Sequence, residues 1–298
     1  MARLSWSDWR EWTRIAGVCT DADDLPRVGD AGATVVEDGV EWQIMHNGLK
    51  VLKAGYAMGN IANLIWMMKG VHEPQEEKCF FECLKYVKPG GTMVELGSNW
   101  SFYSMWFAKA VEGAQCHCLE ADLGALELGM RHFAANGLQA IFTNAQFGDP
   151  DLTPWGTSTR GEYLRAPPDG RIWWNRSRPS PGLHRNVPLI TLDHYVHANR
   201  IEFLDLLHSD IQEQELNMLQ GAKRVFEERR VGFVFVSTHS DKVHGQCRDW
   251  LEAAGYGVIA EHSRADSFSG DGLIVAKNPD CPGPQDIPLS RRTEVCQI

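Results

Sequence analysis

The chain has 298 residues, 43% of them apolar, enough to fill one large α/β domain with extensions or two small domains. Its 29 basic and 39 acidic residues leave a net charge of −10, which argues against a non-specific grip on nucleic acid or an anionic membrane and favours a small or neutral partner. No apolar run reaches the ~20 residues of a membrane span, and the charged start "MARLSWSDWREWTRIAG" lacks the apolar stretch of a signal peptide, so a cytoplasmic protein is expected.

The eight cysteines are spaced neither as disulfide staples nor as zinc pairs, and read as core thiols, with Cys79 and Cys83 on a helix and Cys116 and Cys118 on a strand. In chain order, Trp6, Trp9, Trp12 and Ile15 recur every three residues behind the S-x-x-D pair Ser5 and Asp8, an amphipathic helix start. That stripe needs cover, from the parent domain, by acting as a lid, or from a second copy in a homodimer. "VEWQIMHNGLKVLKAGY" alternates around Asn47-Gly48, a hairpin signal, and a helix through "PQEEKCFFECLKYV" ends at "KPGG". Apolar runs then recur at 92–96, 114–119, 140–147, 202–207, 231–236, 256–260 and 272–276, with helical periodicity between most of them. Seven strands alternating with helices predict a doubly wound, Rossmann-like, mostly parallel sheet. No helix fits between the last two strands, so the last is expected to be antiparallel. The domain reading is a helix-and-hairpin cap over 1–75, a cofactor-binding domain over 76–277, and a polar, Pro-rich tail over 278–298. Residues 149–186 interrupt the rhythm with six prolines, three tryptophans (Trp155, Trp173, Trp174) and six arginines, an insertion expected to wall the site.

The turn after the first core strand, "ELGSNWS", carries Gly97 alone where a dinucleotide fingerprint needs three glycines. Glu120 ends the next strand, where a carboxylate can accept from both ribose hydroxyls. A ligand with a ribose, a positive charge and no phosphate suggests S-adenosylmethionine, although a lone strand-glycine-helix turn is also a plain structural element.

Over roughly residues 40 to 277 the chain resembles the FkbM-type class I methyltransferases. The resemblance rests on Glu95, Gly97 and Glu120, then Thr191, Leu192 and Asp193, then Asp210 with Glu215, Leu219, Gly221 and Ala222. It implies a seven-stranded methyltransferase fold and a cofactor held by Glu95, Gly97, Ser98, Asn99, Ser101, Glu120, Ala121 and Asp210. The chain departs from the family pattern at His208 (a lysine there), at Gln212 and Glu213 (Glu-Gly), and at Ser237 (a glutamate).

Methyl transfer from a sulfonium needs an aligned nucleophile and a proton acceptor. His208 and Asp210 share a strand face, and His239 ends the neighbouring strand, so these three are the candidate catalytic residues. Two imidazoles and a carboxylate also make a set for a divalent metal, which would activate a diol. Asp210 as a helix-terminus carboxylate and His208 as a core histidine are the plainer alternatives. The expected activity is O-methylation of a small molecule, a sugar or a secondary metabolite. A cofactor-binding protein without turnover, and a methyltransferase acting on RNA or protein, are the rivals; charge disfavours RNA, against which the arginines of the insertion stand.

Overall fold

The computed structural model describes residues 9–53, 55, 61–148 and 187–295. The expectations placed on Ser5, Trp6 and Asp8 and on the 149–186 insertion lie outside the described residues, as do the side chains of Trp9 and Trp12. Helix α1 (Trp9–Ala16) buries Ile15 and Ala16 at its end, and Ile15 packs with Cys19 and Phe268. Strands β1 (Thr34–Glu37), β2 (Val40–Ile44) and β3 (Lys50–Leu52) form an antiparallel meander. The Asn47-Gly48 hairpin joins β2 to β3, with Gly48 at φ 77° and Asn47 Oδ1 accepting from Leu49 N at 3.1 Å. A second turn, at Asp38-Gly39, joins β1 to β2, and both residues have the positive φ (50° and 77°) that a type I′ turn requires. The Asp-Gly signal is as strong as the Asn-Gly one, but its first strand is short and largely exposed, so alternation gave it no support.

Helices α2 (Ile61–Met67) and α3 (Pro74–Leu84) follow; α3 opens on proline with Glu76 and Glu77 in its first turn, which suits the positive end of a helix. The chain then runs β4 (Thr92–Leu96), α4 (Phe102–Ala110), β5 (Gln115–Glu120), α5 (Leu123–Ala135), β6 (Ile141–Asn144), β7 (Gln146–Phe147), β8 (Leu189–Ile190), α6 (Leu192–Ala198) and β9 (Leu204–Ser209). It finishes with α7 (Glu215–Gln220), α8 (Lys223–Glu227), β10 (Val231–Thr238), α9 (Asp241–Ala253), β11 (Gly257–His262), β12 (Gly272–Lys277) and α10 (Arg292–Val295). The strand expected over 140–147 is divided: β6 joins the main sheet, while β7 pairs with β8 across the base of the insertion.

The seven-stranded sheet has the order β11-β12-β10-β9-β4-β5-β6, parallel except that β12 runs antiparallel to both its neighbours. From β4 the chain proceeds outward through β5 and β6, then returns to β9 on the other side of β4. That reversal opens a crevice at the carboxyl ends of β4 and β9, where α/β sheets place ligands. Period-2 alternation sends Met93, Leu206 and Phe233 into the layer under α3 and α4, and Val94, Leu207 and Val234 into the opposite layer. Glu95 and His208, cross-strand partners, and Ser237 therefore share the α3 face.

The segment after β12 is packed against the domain. Ile287 is buried and its N–H donates to Ile259 O at 2.7 Å, and Gln75 Nε2 donates to Ser290 O at 2.8 Å. Ser290 N and Lys78 Nζ both donate to Asp21, each at 2.9 Å. No helix among the described residues is long and apolar enough to cross a membrane.

Candidate active site

The turn after β4 is tightly wound. Gly97 has φ 73°, and a Cβ there would lie 1.8 Å from Asp210 O, so β4 and β9 meet only through a residue without a side chain. Asn99 and Ser101 also have positive φ (44° and 61°), a local strain of the kind found at ligand sites. Gly97 N and Ser98 N both donate to Leu119 O, at 2.8 and 3.0 Å, tying the turn to the tip of β5. Glu120, at that tip, accepts from Asn99 N at 2.9 Å and from Asp122 N at 2.8 Å, one bond to each oxygen. Burial pushes its carboxyl up, and the two N–H groups oppose that. Each oxygen keeps a lone pair for a further donor. Ala121 supplies a carbonyl to Asn144 Nδ2 at 3.0 Å. The hydroxyls of Ser98 and Ser209, buried at the adjoining ends of β4 and β9, have no hydrogen-bond partner. A strained glycine turn, a two-oxygen acceptor and two free buried hydroxyls together fit a nucleoside better than a diphosphate, which demands further glycines.

At the neighbouring strand ends, His239 is held between carboxylates. Its Nδ1 lies 2.6 Å from Glu215 Oε1 and its Nε2 lies 3.2 Å from Asp210 Oδ1, with Asp271 Oδ1 at 3.9 Å. Burial lowers the ring's proton affinity, but the hydrogen bonds to Asp210 and Glu215 overcome it and lift the pKa to about 10. Burial also brings Asp271 up to about 7. The amide of Gln212 lies 2.9 Å from His239 Nε2, and beside a protonated ring nitrogen it presents its oxygen. Gln212 and Glu213 are both left-handed (φ 55° and 68°).

His208 takes a different partner. Its Nε2 is 2.8 Å from Glu76 Oε1 and its Nδ1 is 3.8 Å from Glu95 Oε1, while its ring packs at 4.5 Å on Tyr103. Burial works against protonation, yet the hydrogen bond and charge of Glu76 lift the pKa to about 9. Ser237 Oγ donates to Glu76 Oε2 at 3.2 Å. Glu95 accepts from Ser104 N at 3.1 Å, and burial raises it to about 7. Beyond Tyr103, whose hydroxyl donates to Glu73 at 2.8 Å, the polar chain continues through His72 to Glu77 and His46.

The three-ligand metal set expected from His208, Asp210 and His239 is not assembled. A metal ligand needs a deprotonated ring nitrogen, whereas His239 Nδ1 is bonded to Glu215, its Nε2 faces Gln212 and Asp210, and His208 Nε2 is engaged with Glu76. Among the described residues no group of three or more His, Cys, Asp or Glu could hold a metal ion. Alternation put His208 and Asp210 on one face, but it did not reveal that a helix supplies a nearer carboxylate. Glu73, Glu76 and Glu77 were not singled out from sequence. The available signal was their spacing by three and four ahead of Phe80, which places carboxylates on the buried stripe of α3.

Several motif positions are scaffold. Asp193 accepts from Arg224 N and Val225 N, both at 2.9 Å, so it caps α8; Thr191 caps α6. Gly221 packs on Thr191, where a Cβ would approach to 3.2 Å. Two clefts lie away from the carboxyl ends of the strands: one of about 670 Å³ beside Arg27, Trp66 and Lys69, and one of about 450 Å³ at the amino ends of β4, β5 and β9 beside Thr92, Gln115 and Asp205.

The family model for the methyltransferase FkbM domain matches residues 68–258, more than half of the chain. Among solved structures, the chain is similar to TrmK of M. capricolum bound to S-adenosylhomocysteine, with 10% identity, coverage of 68% of this chain and 69% of that one, and a TM-score of 0.41. It is also similar to a precorrin-6y C5,15-methyltransferase from Geobacter metallireducens (10% identity, 69% and 89% covered, TM-score 0.40). A SAM-dependent methyltransferase from Aquifex aeolicus gives 15% identity, 68% and 88% covered, and a TM-score of 0.36. No curated protein matches the chain.

Proposed function

Because the chain belongs to the FkbM methyltransferase family, we propose that it methylates a hydroxyl of a small molecule, with S-adenosylmethionine as donor. The observation that carries the cofactor assignment is the junction of β4, β5 and β9. Gly97 there leaves room for nothing larger than hydrogen beside Asp210 O, and Glu120 stands at the adjacent strand tip with acceptor capacity left on both oxygens. When bound, the cofactor supplies an electrophilic methyl group that needs no further activation. The chain's own residues must bind the nucleoside, orient the acceptor and receive its proton. Glu120 is the ribose acceptor.

The proton assignment differs from the one expected from sequence. His239, protonated between Asp210 and Glu215, is a donor at neutral pH and orients the acceptor oxygen. Asp210, with 38% of its side chain exposed, is the carboxylate that takes up the hydroxyl proton as the C–O bond forms. A net charge of −10 favours a small acceptor over RNA.

Calorimetry with S-adenosylhomocysteine tests the cofactor half. Glu120→Ala is expected to weaken binding about 10- to 100-fold, the loss of one or two charge-assisted hydrogen bonds. Equal affinity for wild type and variant overturns the ribose assignment. Transfer of labelled methyl to hydroxylated metabolites, set against amine-only and RNA substrates, tests the acceptor half.

A further inference from the structure

Glu215 has no exposed side-chain surface, yet it carries a carboxylate. Its Oε1 receives two donors from different parts of the chain, Glu213 N at 3.0 Å and His239 Nδ1 at 2.6 Å, while its Oε2 has none. A buried carboxylate with one oxygen unpaired is a poor stabiliser, and a well-packed apolar residue would serve the core better. The two bonds have a geometric result. Glu213 belongs to the left-handed pair Gln212-Glu213 that leads out of β9 just past Asp210, and His239 ends the neighbouring β10. One carboxylate oxygen thus ties the turn that carries Asp210 to the ring that Asp210 contacts.

We propose that Glu215 is a positioning residue for the methyl transfer: it locks the His239 ring and the Gln212-Glu213 turn into one unit, so that His239 Nε2 and Asp210 meet the acceptor in a single arrangement. The proposal rests on the assignment of Asp210 and His239 to the reacting end. The other charged groups around His239 do not replace this bond. Asp210 and Asp271 lie on the Nε2 side, and Arg264 Nη1 donates to the His239 carbonyl at 2.7 Å, leaving Glu215 as the acceptor at Nδ1. The Nδ1 bond fixes which edge of the ring faces outward and keeps Nε2 protonated as a donor.

Glu215→Gln preserves shape and one acceptor oxygen but removes the charge. It is expected to lower kcat about 100-fold, within the range for a proton-handling group, while the affinity for S-adenosylhomocysteine stays within about 2-fold of wild type, and Glu215→Asp is expected to restore part of the rate. Nitrogen NMR of the His239 ring gives a readout that needs no acceptor. In the wild type both ring nitrogens should stay protonated beyond pH 9; in Glu215→Gln the titration should fall by at least about one pH unit, with the rate declining over the same range. A wild-type His239 that titrates near 6.5, or an unchanged titration and rate in Glu215→Gln, overturns the proposal. Intact NMR behaviour in a protein that transfers no methyl group would instead count against the function while leaving the Glu215–His239 linkage standing.

Discussion

At the scale of single residues, Glu76 reaches His208 from 132 positions earlier in the chain, and no local pattern around His208 announces that partner. What was legible was the end of the strand: periodicity put Glu95 and His208 at the carboxyl ends of core strands, and the two prove to be cross-strand partners. The charge state was not legible, because it depends on a helix packed across the strand ends. Removing the carboxylate tests the pair directly. Glu76→Ala leaves a buried imidazole without its main acceptor and is expected to destabilise the protein by about 3–5 kcal/mol, with Glu76→Gln milder. Urea denaturation measures this, and an unchanged midpoint in Glu76→Ala would mean that His208 is neutral in the fold. Glu120 shows the opposite case. Its place at a strand tip followed from periodicity alone, whereas one of its two backbone donors, Asn99 N, comes from a turn whose φ angles the sequence could not fix.

Among elements, the turn between β4 and α4 is the narrowest point of the site. Gly97→Ala would force a methyl against Asp210 O, at a positive φ that already disfavours alanine by about 1 kcal/mol. Because the obstacle is backbone, β4 and β9 must separate, so a loss of well over 1 kcal/mol in thermal or chemical unfolding is expected, together with weakened S-adenosylhomocysteine binding. Unfolding and binding both at wild-type values would show that the strands can part there freely. Strand positions were the most readable part of the fold, because seven apolar runs bounded by turns leave few topologies, and the antiparallel last strand followed from the missing crossover helix. The run over 140–147 predicts one strand, but two sheets share it. Its split at Ala145 depends on Gln146 N donating to Pro188 O, a partner on the far side of the insertion.

For the whole molecule, buried imidazoles and carboxylates set the response to pH. His72, His208 and His239 are raised from an ordinary 6.5 to about 10, about 9 and about 10 by their carboxylate partners acting against burial. Their contribution is complete below pH 6.5 and is lost as pH rises through 9 to 10. Glu95 and Asp271, raised by burial to about 7, favour the fold in their protonated forms and act in the same sense between about pH 4 and 7. The Tm is therefore expected to fall steadily from pH 6 to pH 10, as followed by calorimetry. A Tm that rises over that range contradicts the clamped-imidazolium arrangement.

The packing of residues 287–293 also bears on how the loop before β12 is held. The loop that ends at Asp271 is fastened by Asp266, which Arg291 reaches at 3.3 Å and Thr293 also contacts, and by Gln75, which accepts from Phe268 N at 2.9 Å while donating to Ser290 O. Asp271, next to Gly272 of β12 and beside His239, is thus held both by the sheet and by a loop fastened from residues 290–293, which lie outside the family-matched residues 68–258, whereas the turn built on β4 and β5 lies wholly within them.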